Sequence, residues 1–450
     1  MPSSPDKQNF NAHQTSRILY FSSLFSLLMM ALFLGACGQN NHSDEKTAQN
    51  NITIQLWAHA GQASERQVLE NQIKQFNQQE KDIQIKLTFI PERNYNAQVQ
   101  AAALAGDLPD ILEFDGPYLY NYIWQKQLIP VDSLLPASLI KDLLPSIVKQ
   151  GTYGKYLYSV GVFDSGLGLY ARKSALQKVH ARIPQGPADA WSIDEFNRIL
   201  QKLAQNDDDG AVLDLKLNYT GEWFTYAFSP ILQSAGADLI NRKTYQTSNG
   251  VLNSEAAVKS LQQVQGWILN HLVDLNLDDA AFTSGRVALS WAGHWEYARY
   301  KKAWPNDLLV LPLPDFGKGS RTGQGSWNWG ITTRSSHPKA AIKFIRFILQ
   351  TNQVLAMCNA NGAVPGTQSA VEHSPIYGEN GALHLFAKQL MQGVAIPRPR
   401  TPAYPVITTA FQQCFQQIRN GADVKQALDT ATRKIDQDIR DNHGYPFNAE

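Results

Sequence analysis

A strand, a helix and a second strand stand at the head of the folded part of this chain, and that succession restricts what the rest can become. "ITIQLW" (52–57) alternates Ile52, Ile54 and Leu56 with Thr53, Gln55 and Trp57, the period-two pattern of a strand. Ser64 then opens "SERQVLENQIKQFNQQE", with Gln67 three residues on as in a capping box, and Leu69, Ile73 and Phe76 on one helical face. "IQIKLTFI" returns to a strand. Strand, helix and strand within about forty residues make a βαβ unit, which requires a parallel pair and hence an α/β layered fold. "AGDLPDILEFD" adds a turn and a third short strand at 111–114, leaving Asp115 at the strand's carboxyl end. In open parallel sheets, that end is where ligands bind.

Further along, "GKYLYSVGVFDSGLGLYARKSAL" reads as two strand segments around a bend, with Asp164 its only acid. "WSIDEFNRILQKLAQ" is a helix capped by Ser192, with Glu195 in the capping-box position. The neighbouring "NDDDG" superficially suggests a calcium loop, but six residues after Gly210 stands Lys216, where a bidentate Glu is needed, so it is read as a polar turn. Val287 to Trp291 forms a strand, with Trp291 in the core. "GSWNWGIT" is strand-like, "SSHPKAAIKFIRFILQ" is a helix, and the tail helix buries Val424, Leu428, Ala431, Ile435 and Ile439 as one stripe.

At 450 residues the chain is long enough for two or three domains or lobes. Lys and Arg number 40 against 39 acids, so no single-sign field favours nucleic acid as a partner. Residues 1–36 read as a signal peptide: Lys7 and Arg17 precede the uncharged run "ILYFSSLFSLLMMALFLGAC". A retained transmembrane anchor is the competing reading of that run. Its end decides: "LGAC" (34–37) resembles a bacterial lipobox, which implies cleavage before Cys37 and lipidation of its thiol. Residues 37–50 are polar, as a flexible tether would be. Cys358 and Cys414 are then left, either paired or as buried free thiols. No metal-ligand spacing surrounds them.

The ordered segments "LAGDLPDILEFDGP", "YSVGVFDSGLGLYARKSAL", "AFTSGRVALSWAGHW", "GSWNWGI" and "IPRPRTPAYPVITTAF" resemble the extracellular solute-binding proteins of carbohydrate ABC importers, the group similar to maltose-binding protein. They span nearly the whole mature chain in the family's order. The resemblance implies a periplasmic-binding-protein-like type II fold, two α/β lobes with a ligand cleft and hinge crossings. It places one lobe at 51–162 plus 325–362 and the other at 163–324 plus 363–450, with crossings near 160–165 and 318–325. It also implies a carbohydrate ligand, importer permease subunits as partners, no cofactor, and a monomer held in the bacterial cell envelope by its N-terminal lipid.

A sugar presents hydroxyl edges and apolar C–H faces, so its site needs flat aromatic platforms beside carboxylates, amides or guanidinium groups. Trp223 follows Glu222, a platform beside an acceptor, and the family pattern puts an aromatic there. Trp295 falls where the family carries a stacking tryptophan after a glycine, and Tyr404 in "RTPAYP" matches an aromatic cleft position. Asp115 at its strand end either accepts two charge-assisted hydroxyl bonds or forms a turn before Gly116. Asp164 either bonds sugar or pins the hinge. Arg398 and Arg400 reach hydroxyls or pair with surface acids, and His59 faces the cleft or sits in a solvated loop. Trp327 and Trp329, two residues apart on a strand, point to one face. Trp327, nearer the crossing, is the better platform, and Trp329 is as well suited to packing behind it.

A lipid-anchored glycoside-active enzyme, which needs two positioned acids, and a receptor for a solute such as glycerol phosphate are the competing functions. The lipobox and ordered motifs weigh against the first. "GKGSRTGQG" does not match GxxxxGK[ST], and neither HExxH nor GxSxG occurs.

Overall fold

A computed structural model describes residues 51–446 apart from Glu379. The apolar leader, Cys37 and the polar tether lie outside the described residues.

Nine strands carry the architecture: β1 (Ile52–His59), β2 (Ile83–Ile90), β3 (Ile111–Asp115), β4 (Ser159–Val160), β5 (Leu167–Arg172), β6 (Leu213–Asp214), β7 (Leu289–Gly293), β8 (Leu308–Leu311) and β9 (Trp327–Ile331). They form two sheets, ordered β2-β1-β3-β9-β4 and β8-β5-β7-β6. In the first, β1 pairs parallel with β2 and β3, whereas β9 runs antiparallel to both β3 and β4. In the second, β5 is antiparallel to β7 and β8, and β6 is parallel to β7.

Alternation explains why each sheet is covered on both faces. Ile54, Leu56 and Ala58 of β1 enter a core with Phe76, Phe344 and Trp329. Trp57 packs instead with Tyr95, Tyr118 and Tyr122 on the other side. The second sheet repeats this, with Leu167, Leu169 and Ala171 in one core and Tyr170 in another with Phe282 and Tyr300. These are two α/β lobes, each with helices layered on a sheet. The tail stripe Val424, Leu428, Ala431, Ile435 and Ile439 is buried in the second lobe's core.

The chain crosses between the sheets through residues 161–166 and again through 312–326. Phe163–Asp164 pairs antiparallel with Val364–Pro365. Gly366 lies so close to that partner that a Cβ on it would meet the Gly161 carbonyl oxygen at 2.7 Å. Asp164 is 0% exposed and ties the crossings together. It accepts from the Ser165 backbone N–H at 2.8 Å and from the side-chain amides of Gln150 and Gln324, each at 3.2 Å. Burial raises its pKa.

Local departures from the sequence expectation are small. The first helix starts at Ala63 with Gln62 as N-cap, because Glu65, not Gln67, folds back to the Gln62 N–H at 2.6 Å. Ser64 is free to donate to the Ala360 carbonyl instead. Ser192 caps its helix as expected. The strand expected at 287–291 runs two residues later. Cys358 and Cys414 are both buried free thiols.

Candidate functional site

A cavity of about 430 Å³ lies between the lobes, at the strand ends. On the first lobe's wall, β1 ends at His59, which faces Glu113 of the neighbouring β3. Glu113 Oε2 takes the His59 backbone N–H at 3.0 Å and lies 2.8 Å from His59 Nδ1. Burial alone would depress the imidazole's pKa, but the Glu113 charge and hydrogen bond overcome it and push the value up to about 9. The protonated ring lies flat against Trp327, with centroids 3.8 Å apart and planes within 2°. Tyr95 meets the same indole edge-on at 5.2 Å, so Trp327 is held from two directions while it lines the cleft. The helix after β2 starts beside them and brings Glu92 and Arg93 to the cavity.

On the second lobe's wall, β7 ends at Gly293 and the next two residues, His294 and Trp295, line the cavity. A Cβ at position 293 would fall 2.0 Å from the Trp295 ring, so only glycine leaves the indole its place. Trp223, at the start of the helix Trp223–Ala235, stands edge-on to Trp295 at 6.1 Å. Its indole N–H donates to the Leu215 carbonyl. Tyr226, one helical turn on, and Tyr219 add two further rings to this wall. At the far end Asp279 borders the cavity, anchored by Lys216 at 2.9 Å and Arg299 at 2.8 Å.

A buried ionic knot joins the walls. Arg398 donates to both oxygens of Asp115, at 2.6 and 2.5 Å, and its Nη1 reaches Glu222 at 3.0 Å. Tyr118 donates to Glu222 at 2.8 Å, and Tyr404 donates to its other oxygen. Burial raises the Glu222 pKa against the opposing pull of Arg398. Each acid thus has a partner in the low-dielectric interior, as buried charges require.

His59, Asp115, Glu222, Trp223, Trp295, Trp327 and Arg398 therefore come together around one cavity. The other sequence candidates do not line it. Asp164 is consumed by the crossings. Trp329 is 1% exposed and packs edge-on to Phe344 at 6.3 Å, behind the sheet. Arg400 points its Nη1 at the Lys149 carbonyl. Tyr404 stands one layer back, its hydroxyl on Glu222. Sequence reasoning missed Glu113, Ser165, Tyr226 and His294. Tyr226 was open to detection as the i+3 neighbour of Trp223. Glu113 carries no local signal, because its partner His59 is on another strand.

Residues 71–384 match the family model described as bacterial extracellular solute-binding protein. A Streptomyces antibioticus protein named an uncharacterized lipoprotein in the oleD 5′ region is 22% identical over 425 residues, 89% of this chain and 90% of its own. The multiple sugar-binding protein of Streptococcus mutans is 19% identical over 347 residues, 74% of this chain and 79% of its own. Among solved structures, the GacH receptor of Streptomyces glaucescens, determined unliganded and with acarbose, matches with a TM-score of 0.73 at 20% identity. That match spans 86% of this chain and 97% of the receptor. At such identity the likeness carries the fold, two α/β lobes about a cleft.

Proposed function

The chain belongs to the bacterial extracellular solute-binding protein family, and from that premise we propose that it is the receptor of an ABC sugar importer, closing its lobes on a mono- or oligosaccharide. It is a binder, not an enzyme, like its family. The observation that carries the sugar reading is the cleft's composition. Trp327 on one wall and Trp223, Trp295 and Tyr226 on the other line the same cavity as Glu92, Asp115, Glu222 and Asp279. Rings match the apolar faces of a pyranose and carboxylates match its hydroxyls. The name of the Streptococcus mutans relative supports the same class.

The ligand residues proposed are His59, Asp115, Glu222, Trp223, Trp295, Trp327 and Arg398. The lobes proposed are 51–162 plus 325–362, which contains β1 to β4 and β9, and 163–324 plus 363–450, which contains β5 to β8. A sugar touching both walls at once would favour the closed state by its differential contacts with it. A phosphorylated polyol is the weaker candidate: Arg398 is committed to two acids, Arg400 lies elsewhere, and the other basic groups of the lining, His59 and Arg93, stand among Glu65, Glu92, Asp115, Glu222 and Asp279. The protein is exported to the cell envelope. Lipidation at Cys37 would tether it there as a monomer beside the permease, a reading that the lipoprotein relative supports.

The test is a tryptophan-fluorescence and thermal-shift screen of the full chain against a sugar panel, with product analysis on every hit. Saturable binding without turnover is expected. Multiple-turnover cleavage, or binding of a phosphorylated polyol with no sugar bound, refutes the proposal. Mass spectrometry should find an acylated Cys37 at the mature N-terminus, and an intact Met1 refutes the tether.

A further inference from the structure

Tyr226, Ser165 and His294 form a hydrogen-bond chain whose proton directions are set by where it ends. His294 Nδ1 lies 2.8 Å from the Asn361 carbonyl oxygen, and its Nε2 lies 2.9 Å from Ser165 Oγ. Ser165 Oγ is in turn 2.8 Å from the Tyr226 hydroxyl. A backbone carbonyl only accepts, so Nδ1 carries a proton. His294 is 3% exposed, and burial pushes its pKa down to about 4, so the ring is neutral and has one N–H to give. Nε2 must therefore accept, Ser165 must donate to it, and the Ser165 oxygen must take the hydrogen of Tyr226. Tyr226 is left facing the cleft with lone pairs alone. Its ring has little freedom to escape this, with the Arg398 guanidinium over it at 5.0 Å and Trp295 at 6.2 Å.

We propose that His294 and Ser165 are positioning residues that fix the Tyr226 hydroxyl as a hydrogen-bond acceptor, so that at this point the cleft selects a ligand hydroxyl able to donate. This rests on reading the cleft as a sugar site. A freely rotating phenol would accept a hydroxyl, an ether or a fluorine alike by turning its hydrogen. A fixed one rejects the last two. An imidazolium at position 294 would keep the Nδ1 bond to Asn361 but reverse every arrow beyond it, because Nε2 would donate to Ser165, Ser165 to Tyr226 and Tyr226 to the ligand. The same chain also ties the end of the first-lobe helix Thr351–Asn361 to the first crossing and to the second lobe.

Two measurements decide it. Long-range nitrogen–proton correlation on the full chain labelled with [15N]histidine at pH 7, assigned with His294→Gln, should find Nδ1 protonated and Nε2 bare. A protonated Nε2 overturns the proposal. For binding, a sugar that scores in the panel is compared with its single-position deoxyfluoro analogues on wild type, Ser165→Ala and Tyr226→Phe. Wild type should lose about tenfold in affinity at one ring position, the size of one lost hydrogen bond. In Ser165→Ala the freed phenol can turn toward fluorine, and in Tyr226→Phe the acceptor is gone, so in both the loss should shrink to within about twofold. Equal losses in all three proteins overturn the proposal. If no sugar binds, the sugar reading fails while the tautomer measurement still decides the polarity of the chain.

Discussion

His59 and His294 occupy matching places, the first at the end of β1 and the second just past the end of β7, one on each wall of the cleft. Both are buried, yet one is held charged and the other neutral. The difference lies wholly in what each faces. A carboxylate from the adjacent strand confronts His59, whereas His294 meets a backbone carbonyl and a hydroxyl. A carboxylate offsets the desolvation of a cation; neutral dipoles do not do so here. One fold thus builds an ion pair behind Trp327 and a neutral, polarised hydrogen-bond chain behind Tyr226. Burial by itself is a poor guide to a histidine's state.

The severest way to break this contrast is Glu113→Gln, which leaves the His59 cation without its partner and should cost about 3–5 kcal/mol in urea unfolding. A cost no larger than that of His294→Gln would mean the walls are alike. Of similar size, Trp329→Ala should cost about 3–5 kcal/mol of stability, since it empties a packed site behind the first wall.

Titration should separate the walls next. The folded pKa of His59, about 9, lies above the unfolded value near 6.5. Its contribution is therefore fully present below about pH 6.5 and lost as pH rises through 9, on the order of 3 kcal/mol in all. His294 has the opposite sign: its folded pKa of about 4 lies below the unfolded value. Its contribution is present above about pH 6.5 and lost as pH falls through 4. Unfolding measured across that range in wild type and Glu113→Gln should abolish only the alkaline arm. An unchanged alkaline arm would refute the assignment.

Trp327→Ala should leave the fold standing and weaken sugar binding about thirtyfold, the loss of one anchor ring worth about 2 kcal/mol. His294→Gln should be the mildest, costing about 1–2 kcal/mol for the buried partners it leaves unpaired.

The sequence made the layers legible because they are written locally. β1, the following helix and β2 declare themselves by period, and the tail stripe from Val424 to Ile439 does so by spacing. Aromatics flanking polar loops were also readable, and Trp223, Trp295 and Trp327 do line the cleft. Polar partnerships were not, for they join residues far apart in the chain. Arg398 meets Asp115 across 283 positions and His59 meets Glu113 across 54. Asp164 shows the limit from the other side. Its place in a crossing segment was visible, but whether its carboxylate faced sugar or protein depended on Gln150 and Gln324, which nothing near Asp164 announces. Trp329 and Trp327 share a strand, and only the helix carrying Phe344 and the ring of His59 tell them apart.

The order of strands in the first sheet has a consequence for how the protein is made. Within its sheet β4 pairs only with β9, and β9 arrives after β5 to β8 have all been synthesised. At about 5–20 residues per second, β4 waits on the order of ten to thirty seconds for its neighbour. Until then β3 keeps an open edge. A nascent chain that has not reached Trp327 is thus unable to finish its first lobe, however much of that lobe has already emerged. Such a delay keeps the chain loose and threadable while it waits, a state suited to passage through a narrow export channel.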